Sequence, residues 1–387
     1  MDTRILAAAP LAAALFITSA SGEDLSRSID GLTPEEQAEF LAGRDAFDEV
    51  ETVADGLGPV FNGTSCGACH NVGGTGGGSE AIETRFGAYT DRRFDPLAAH
   101  GGSLIQTDGI GAYASCNFVG ETVPPVATVV AGRRATPLFG LGLVDAVPNQ
   151  TFVSLARRQA WQRPEIAGRP HIVTDVATGQ RAVGRFGWKN QVASLLVFSA
   201  DAYLNEMGIT TPLFPNESCP QGNCALIDAC DPLPGMDDDM EDVELFRSFM
   251  AFLAPPFRAR RTLDAYQGAK VFDDVGCAGC HVPALTSGTS PTAALSEKVF
   301  RPYSDFLLHD MGALGDGIVQ GDARGREMRT APLWGLRLLT TYLHDGRATT
   351  LEAAILAHDG QGRYARERYR RLTDMGRDRL IAFLRTL

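Results

Sequence analysis

Read for its hydrophobic pattern, the chain is a series of amphipathic helical stretches joined by long glycine- and proline-rich connections. The first opens at Thr33-Pro34-Glu35-Glu36 and carries Phe40, Leu41 and Phe47. Thr33 and Glu36 have the spacing of a capping box, in which each side chain reaches the other residue's backbone amide. Helical spacing returns over residues 243–253, which are expected to lead into the second half, and over 262–272 and 378–384. Thr349 with Glu352 opens a further helix that sets Leu351, Ala354, Ile355 and His358 on one face. Ahead of all these, residues 5–18 form one apolar run behind Arg4, followed by Ser19, Ala20, Ser21 and Gly22. That run falls short of the ~20 residues a bilayer span requires. A charged start, an apolar core and a small-residue exit are the order of an export signal, assigned to residues 1–20. The mature chain is therefore expected in the periplasm, where cysteines meet an oxidising environment.

Composition narrows the class. Of 387 residues, 44% are hydrophobic and 21% charged, with 42 Gly and 21 Pro, which excludes a disordered acidic tail, a collagen and a coiled coil. Acidic residues outnumber basic ones 47 to 35 and the net charge is -12, the wrong sign for a nucleic-acid binder.

Four of the eight cysteines fall in two identical phrases, Cys66-Gly67-Ala68-Cys69-His70 and Cys277-Ala278-Gly279-Cys280-His281. C-x-x-C-H is the attachment signature of a c-type haem. Two thiols on one turn reach the two vinyl groups of a porphyrin, and the next residue offers its imidazole to the iron. A redox dithiol needs no histidine and does not occur twice, and a zinc site would bring the pairs close in sequence. Two covalently bound haem c groups are expected, with His70 and His281 as iron ligands.

The motifs sit in a longer repeat. Gly43 and Phe47 match Gly268 and Phe272 upstream, and R-x-x-P-L-[aromatic]-G-L-x-L recurs from Arg134 and from Arg329 downstream. Duplication accounts for both. The expected fold is mainly α: two tandem cytochrome c-like haem domains with long loops and an insertion between them. The boundaries are 21–150, 151–241 for the insertion, and 242–387. The insertion is rich in turn residues and is read as packing against both units. Within it, Asp237-Asp238-Asp239 reads as a solvated turn.

An imidazole on an apolar helix face needs a partner, and with a haem in the same unit His358 is the expected second ligand of that iron. Arg134 and Arg329 are candidates for haem propionates, since a guanidinium matches a carboxylate bidentately. Cys116, Cys219, Cys224 and Cys230 remain. Three pairings are open in an exported chain, and Cys219–Cys224 with Cys116–Cys230 is preferred.

The order C-x-x-C-H, R-T-A-P-L-W-G-L, L-H-D-G-R-A-T-T-L-E and a terminal helix resembles the bacterial di-haem cytochrome c peroxidases and the di-haem enzyme of methylamine utilisation. The phrases Asp55-Gly56-Leu57-Gly58-Pro59-Val60-Phe61-Asn62, Gly184-Arg185-Phe186-Gly187-Trp188-Lys189 and Leu307-Leu308-His309-Asp310-Met311-Gly312 are similar to the di-haem oxidoreductase, thiol oxidoreductase-like, branch. The resemblance implies that the residue 14 after His344, which is His358, closes the C-terminal iron and makes that haem a six-coordinate electron store. At the N-terminal haem the equivalent repeat position is Arg163, and the loop-ligand position of the peroxidases is Phe86. Either that iron is open to hydrogen peroxide or a similar oxidant, or His100, His171 or His309 closes it. Glu165 and Glu121 are candidates for a distal acid, and Trp188 and Trp334 for bridging aromatics. A cytochrome or cupredoxin-type donor is the implied partner. Calcium at the domain interface is also implied, although no ligand cluster marks it. The competing class is a pure electron carrier with both irons closed.

Overall fold

Thr33 caps the first helix as its spacing requires: Thr33 accepts from the Glu36 amide and the Glu36 carboxylate accepts from the Thr33 amide, at 3.2 and 2.8 Å. Residues 25–387 of the computed structural model are described; the proposed export segment lies outside them. Their helices are α1 (Pro34–Asp48), α2 (Cys66–Cys69), α3 (Leu141–Asp145), α4 (Asn149–Gln162), α5 (Leu195–Ala202), α6 (Cys224–Cys230), α7 (Glu241–Phe252), α8 (Leu263–Val275), α9 (Leu351–Ala357), α10 (Arg363–Arg370) and α11 (Asp374–Leu384). Among the described residues no helix is long and apolar enough to cross a membrane.

Two helix crossings are built alike. Helix α1 packs on α7, and α8 packs on α11. A Cβ on Gly43 would lie 2.3 Å from the Leu245 carbonyl oxygen, and one on Gly268 would lie 1.8 Å from that of Arg379. Only glycine lets the backbones approach so closely. One turn on, Phe47 meets Phe249 at 4.8 Å and Phe272 meets Phe383 at 5.3 Å. Helix α7 is thus the counterpart of the terminal helix. It belongs with the first motif and does not lead into the second half, which corrects the expectation for residues 243–253. The reason is burial: Phe246 and Phe249 complete the core around Phe40 and Phe47.

The repeated R-x-x-P-L phrases meet each other. Gly140 (φ 69°) and Gly335 (φ 74°) both take the left-handed turn that ends the phrase. A Cβ on Gly140 would clash with the Trp334 ring at 2.8 Å, while Phe139 lies against Gly335. Each copy's aromatic therefore covers the other's glycine, and Phe139 and Trp334 join one buried cluster across the seam, while Phe272 and Phe383 form a second.

The chain is less helical than its pattern suggests. Its loops form six small antiparallel sheets, the largest built by Ile82–Thr90 between Arg93–Asp95 and Val129–Arg134. Along that central strand Phe86 and Ala88 point into a core, while Glu83 and Arg85 share the opposite face. Residues 151–241 reach both motifs, as detailed below. Disulfides Cys116–Cys230 and Cys219–Cys224 form as preferred. Two of the three aspartates expected in a solvated turn, Asp237 and Asp238, are engaged in the fold, while Asp239 is exposed. Asp237 accepts from the Thr210 amide and hydroxyl at 2.8 and 2.7 Å, and buried Asp238 accepts from the amides of Met240 and Asp242 at the start of α7. Unpaired amides at a helix N-terminus demand such acceptors.

A buried ionic knot ties the halves together. Asp316 accepts from Arg133 Nε at 2.8 Å and lies 2.9 Å from Lys189 Nζ, which also donates to the carbonyls of Arg324, Gly325 and Glu327. Lys189 and Asp316 side chains are fully buried. Burial alone would raise the Asp316 carboxyl, but Arg133 and Lys189 outweigh it and hold it below its usual range.

Candidate haem sites

At the first motif, Ser65 accepts from the Ala68 amide and opens the single turn α2, which carries Cys66 and Cys69 on one side and leads to His70. His70 Nδ1 lies 3.0 Å from the Gly77 carbonyl oxygen. The ring beside it is Phe47, with centres 6.0 Å apart. At the second motif, a short turn over Cys277–Gly279 precedes Cys280 and His281, whose Nδ1 lies 2.9 Å from the Tyr303 carbonyl oxygen. His358 follows the last turn of α9, with Nδ1 2.8 Å from the Ala354 carbonyl oxygen. A carbonyl partner demands the proton on Nδ1 and leaves the Nε2 lone pair free. Burial lowers the pKa of all three imidazoles, that of His281 to about 4 with His358 adding to the effect. They are neutral, the metal-binding form.

The His281 and His358 rings lie side by side, centres 6.4 Å apart and planes inclined at 60°. The space around them is apolar, lined by Phe272, Leu333, Leu336, Leu351 and Ile355, and it extends to Trp188, Trp334 and His344 between the halves. Arg329 projects into it, fully enclosed. Its Nε donates to the Gly187 carbonyl oxygen at 2.8 Å, and its guanidinium lies over Trp188 and Phe306. Burial alone pushes its pKa down to about 10, because no carboxylate pairs with it. Arg134 lines the same space but is held by the Ser79 and Thr341 carbonyls. Of the eight cysteines, the four in the two motifs are the free ones; burial drives the Cys66 thiol up and that of Cys277 to about 12.

The first motif has different neighbours. Gly63 and Asn62 donate their amides to the Glu206 carbonyl oxygen, and Gly63 packs on the Cys69 sulfur. The Glu206 carboxyl accepts from Asn62 Nδ2 at 2.9 Å and is in hydrogen-bond contact with Glu83, which holds Arg85 Nε at 3.0 Å. Burial, reinforced by Glu83, pushes Glu206 well up; burial would also raise Glu83, but Arg85 outweighs it and holds Glu83 low. A carboxylic acid and a carboxylate side by side are set to share a proton. Tyr203, on the same π-turn as Glu206, donates to Glu51 at 2.8 Å near Cys66.

The remaining histidines are engaged elsewhere. His100 is exposed; His171 is buried with Nδ1 at the Lys189 carbonyl and Nε2 at the Asp322 amide. His309 stands by the second motif, with Nε2 3.1 Å from Asp305 and Nδ1 3.6 Å from Cys280. His344 is buried edge-on to Trp188 at 6.1 Å. Phe86 is in the core. The two distal-acid candidates are not brought together. Glu165 is half-exposed, paired with Arg163 at 2.8 Å, and sits beside the second motif, where Ile166 touches Gly279. Glu121 is buried and occupied by the amides of Gln106 and Gln221. Sequence reasoning missed Glu83, Arg85 and Glu206. The i, i+2 alternation of Glu83 and Arg85 on one strand face was readable, but nothing near Glu206 pointed to a strand so distant in sequence.

Residues 126–387, about two thirds of the chain, match the family model described as "Di-haem oxidoreductase, putative peroxidase". The chain belongs to this family. No curated protein matches it. Solved structures similar to it include a MauG-like protein associated with microbial copper homeostasis (16% identity, 92% of this chain and 90% of that one, TM-score 0.40). They also include the diheme peroxidase BthA from Burkholderia thailandensis E264 (15%, 94% and 88%, 0.41) and Kuenenia stuttgartiensis hydrazine synthase (14%, 100% and 100%, 0.39).

The second site of this di-haem oxidoreductase fits a haem on its own geometry. The 6.4 Å between the two ring centres leaves room for an iron held by one nitrogen of each. Arg329 is a buried cation with no anion beside it, in a cavity of porphyrin-compatible apolar lining, and a propionate would supply the missing charge. Calcium finds less support. Among the described residues one His/Cys/Asp/Glu cluster could hold a metal, Cys280 with Asp305 and His309. A thiol, an imidazole and a single carboxylate are not the hard oxygen set calcium takes.

Proposed function

We propose that the chain is an exported periplasmic enzyme with two cytochrome c-like units, each holding a covalent haem c. In this reading electrons enter at the second site and hydrogen peroxide is reduced at the first. Bound there, haem supplies one-electron exchange and, where an axial position is free, reduction of a small oxidant. Cys66, Cys69, Cys277 and Cys280 would form the thioethers. His281 and His358 would close one iron, and His70 alone would hold the other. Trp188 and His344, which line the second site's cavity and touch the first half at Arg134, would be the aromatic path between the sites. Hydrogen peroxide needs two electrons and two protons to leave as two waters. The Glu206–Glu83 pair, beside Cys69, is the group able to deliver a proton and regain it; Glu165, paired beside the other motif, is not.

The observation that carries this reading is the asymmetry of the two motifs. His281 faces a second imidazole, whereas the first motif has a shared-proton carboxyl pair as its neighbour. Optical and EPR spectra of the purified holoprotein test it. One low-spin and one high-spin haem are expected, and His358→Ala should turn the low-spin one high-spin while leaving the other unchanged. Two low-spin haems in both redox states, with no peroxide turnover, would leave a pure electron carrier instead. Glu206→Gln should cut peroxide turnover about 100-fold or more, with Glu165→Gln within a factor of two of wild type.

A further inference from the structure

The most exposed large hydrophobic side chain described is Trp161, 84% accessible, in the last turn of α4. The opposite face of that helix is well buried: Phe152, Leu155 and Ala156 join the core, and Gln159 Nε2 donates to the Gly279 carbonyl oxygen of the second motif at 2.9 Å. The helix end is therefore pinned on the second haem site with its tryptophan turned outward. Arg158 and Arg157 lie three and four residues before Trp161, on the same face. Both are exposed and have no carboxylate partner among the described residues. Arg163 follows, its guanidinium 5.4 Å from the Tyr364 ring, and Arg368 lies at the same distance on that ring and donates to its hydroxyl at 2.6 Å. Gly276, the residue before Cys277, packs against both: a Cβ there would meet Tyr364 at 3.6 Å and Arg163 Nη2 at 3.9 Å. Tyr364 is 44% exposed and also lines the His281–His358 cavity. The cavity thus reaches the surface at this patch. Glu165 offsets one positive charge, through Arg163. The rest is uncompensated cation on a chain whose net charge is -12.

We propose that the end of α4 with Tyr364 and Arg368 is the docking surface for a small, acidic electron-transfer protein that exchanges electrons with the second haem. The proposal rests on the reading of that site as the electron port. Exposed Trp, Tyr and Arg are the residues that anchor interfaces. Redox encounters bury little area and need few anchors. Opposite charge at the patch raises the association rate, and the acidic surface elsewhere turns an acidic partner away from the other faces.

The test is stopped-flow reduction of the oxidised holoprotein by a reduced blue-copper protein with an acidic face, beside a basic single-haem cytochrome and ascorbate. The acidic carrier should react faster than the basic one, and its second-order rate should fall about 10-fold between low and 0.2 M salt. Arg157→Glu with Arg158→Glu should remove most of that salt dependence, and Trp161→Ala should slow the reaction several-fold at every salt concentration. Reduction by ascorbate should be unchanged in both variants, showing the haem intact. Equal rates for wild type and variants, or preference for the basic carrier, would overturn the docking surface while the electron port stands. If ascorbate and both carriers all fail to reduce the low-spin haem first, the electron port itself falls, and the docking surface with it.

Discussion

The two halves start from one plan and end with opposite chemistry. Both place a C-x-x-C-H turn under a helix crossing opened by a glycine, and both fix the motif histidine through a backbone carbonyl at Nδ1. In the second half the space beyond that histidine is apolar, with His358 opposite and Arg329 at its side. In the first, residues 151–241 intervene before the closing helix α7, and they bring Glu206 to Glu83 and Arg85 beside Cys69. The lesson is that a recurring local plan fixes the motif histidine, while the chain between the two occurrences decides what else surrounds it.

The largest expected effect removes what both halves share. Asp316→Ala would strand Arg133 and Lys189 in the core without an anion, and should cost about 3–5 kcal/mol in urea unfolding, lowering both haem environments together. The sign with pH follows from its depressed pKa. Its stabilisation is present above the usual carboxylate range and is lost as pH falls through the depressed value, so the wild type should lose stability in acid more steeply than Asp316→Asn. If one half melts first in the alanine variant, the knot does not join them.

Next comes a lesion confined to the first half. Replacing Cys116 and Cys230 by serine opens a link spanning 114 residues. It should cost about 2–5 kcal/mol and broaden the first site's spectrum without touching that of the second. A smaller pair of changes compares the halves directly. Gly43→Ala and Gly268→Ala each push a Cβ into a facing carbonyl and should cost about 1–3 kcal/mol each, the second more because its contact is closer. Each should perturb only its own haem, read by resonance Raman during thermal unfolding. A shared response would mean that the two crossings are not independent.

Much of this was legible along the chain. The capping box at Thr33, the matched Gly43 and Gly268, the short turns of the two C-x-x-C-H phrases and the apolar face ending in His358 all depend on residues a few positions apart, where helical spacing and turn chemistry act directly. The preferred disulfides also formed. What escaped was the grouping of distant pieces. Residues 243–253 read as the start of the second half because they precede it, yet the aromatic pairs Phe47–Phe249 and Phe40–Phe249 bind them to the first. Asp237 to Asp239 read as solvated because they are charged, yet Asp237 serves Thr210 and Asp238 the amides at the start of α7, leaving only Asp239 exposed. Glu165 and Glu121 were plausible acids by position, but Arg163 holds one and two loop amides hold the other.

The sequence by itself determined the local elements: two C-x-x-C-H turns, the imidazoles that follow a helical turn, and the recurring phrases around them. These follow from bond lengths and helical periodicity, which need no knowledge of the rest of the chain. The tertiary structure decided which charges meet. Asp316 with Lys189, Glu206 with Glu83, and the basic edge around Trp161 come from segments far apart in the chain. Only packing brings them close enough for burial and Coulomb forces to set their chemistry.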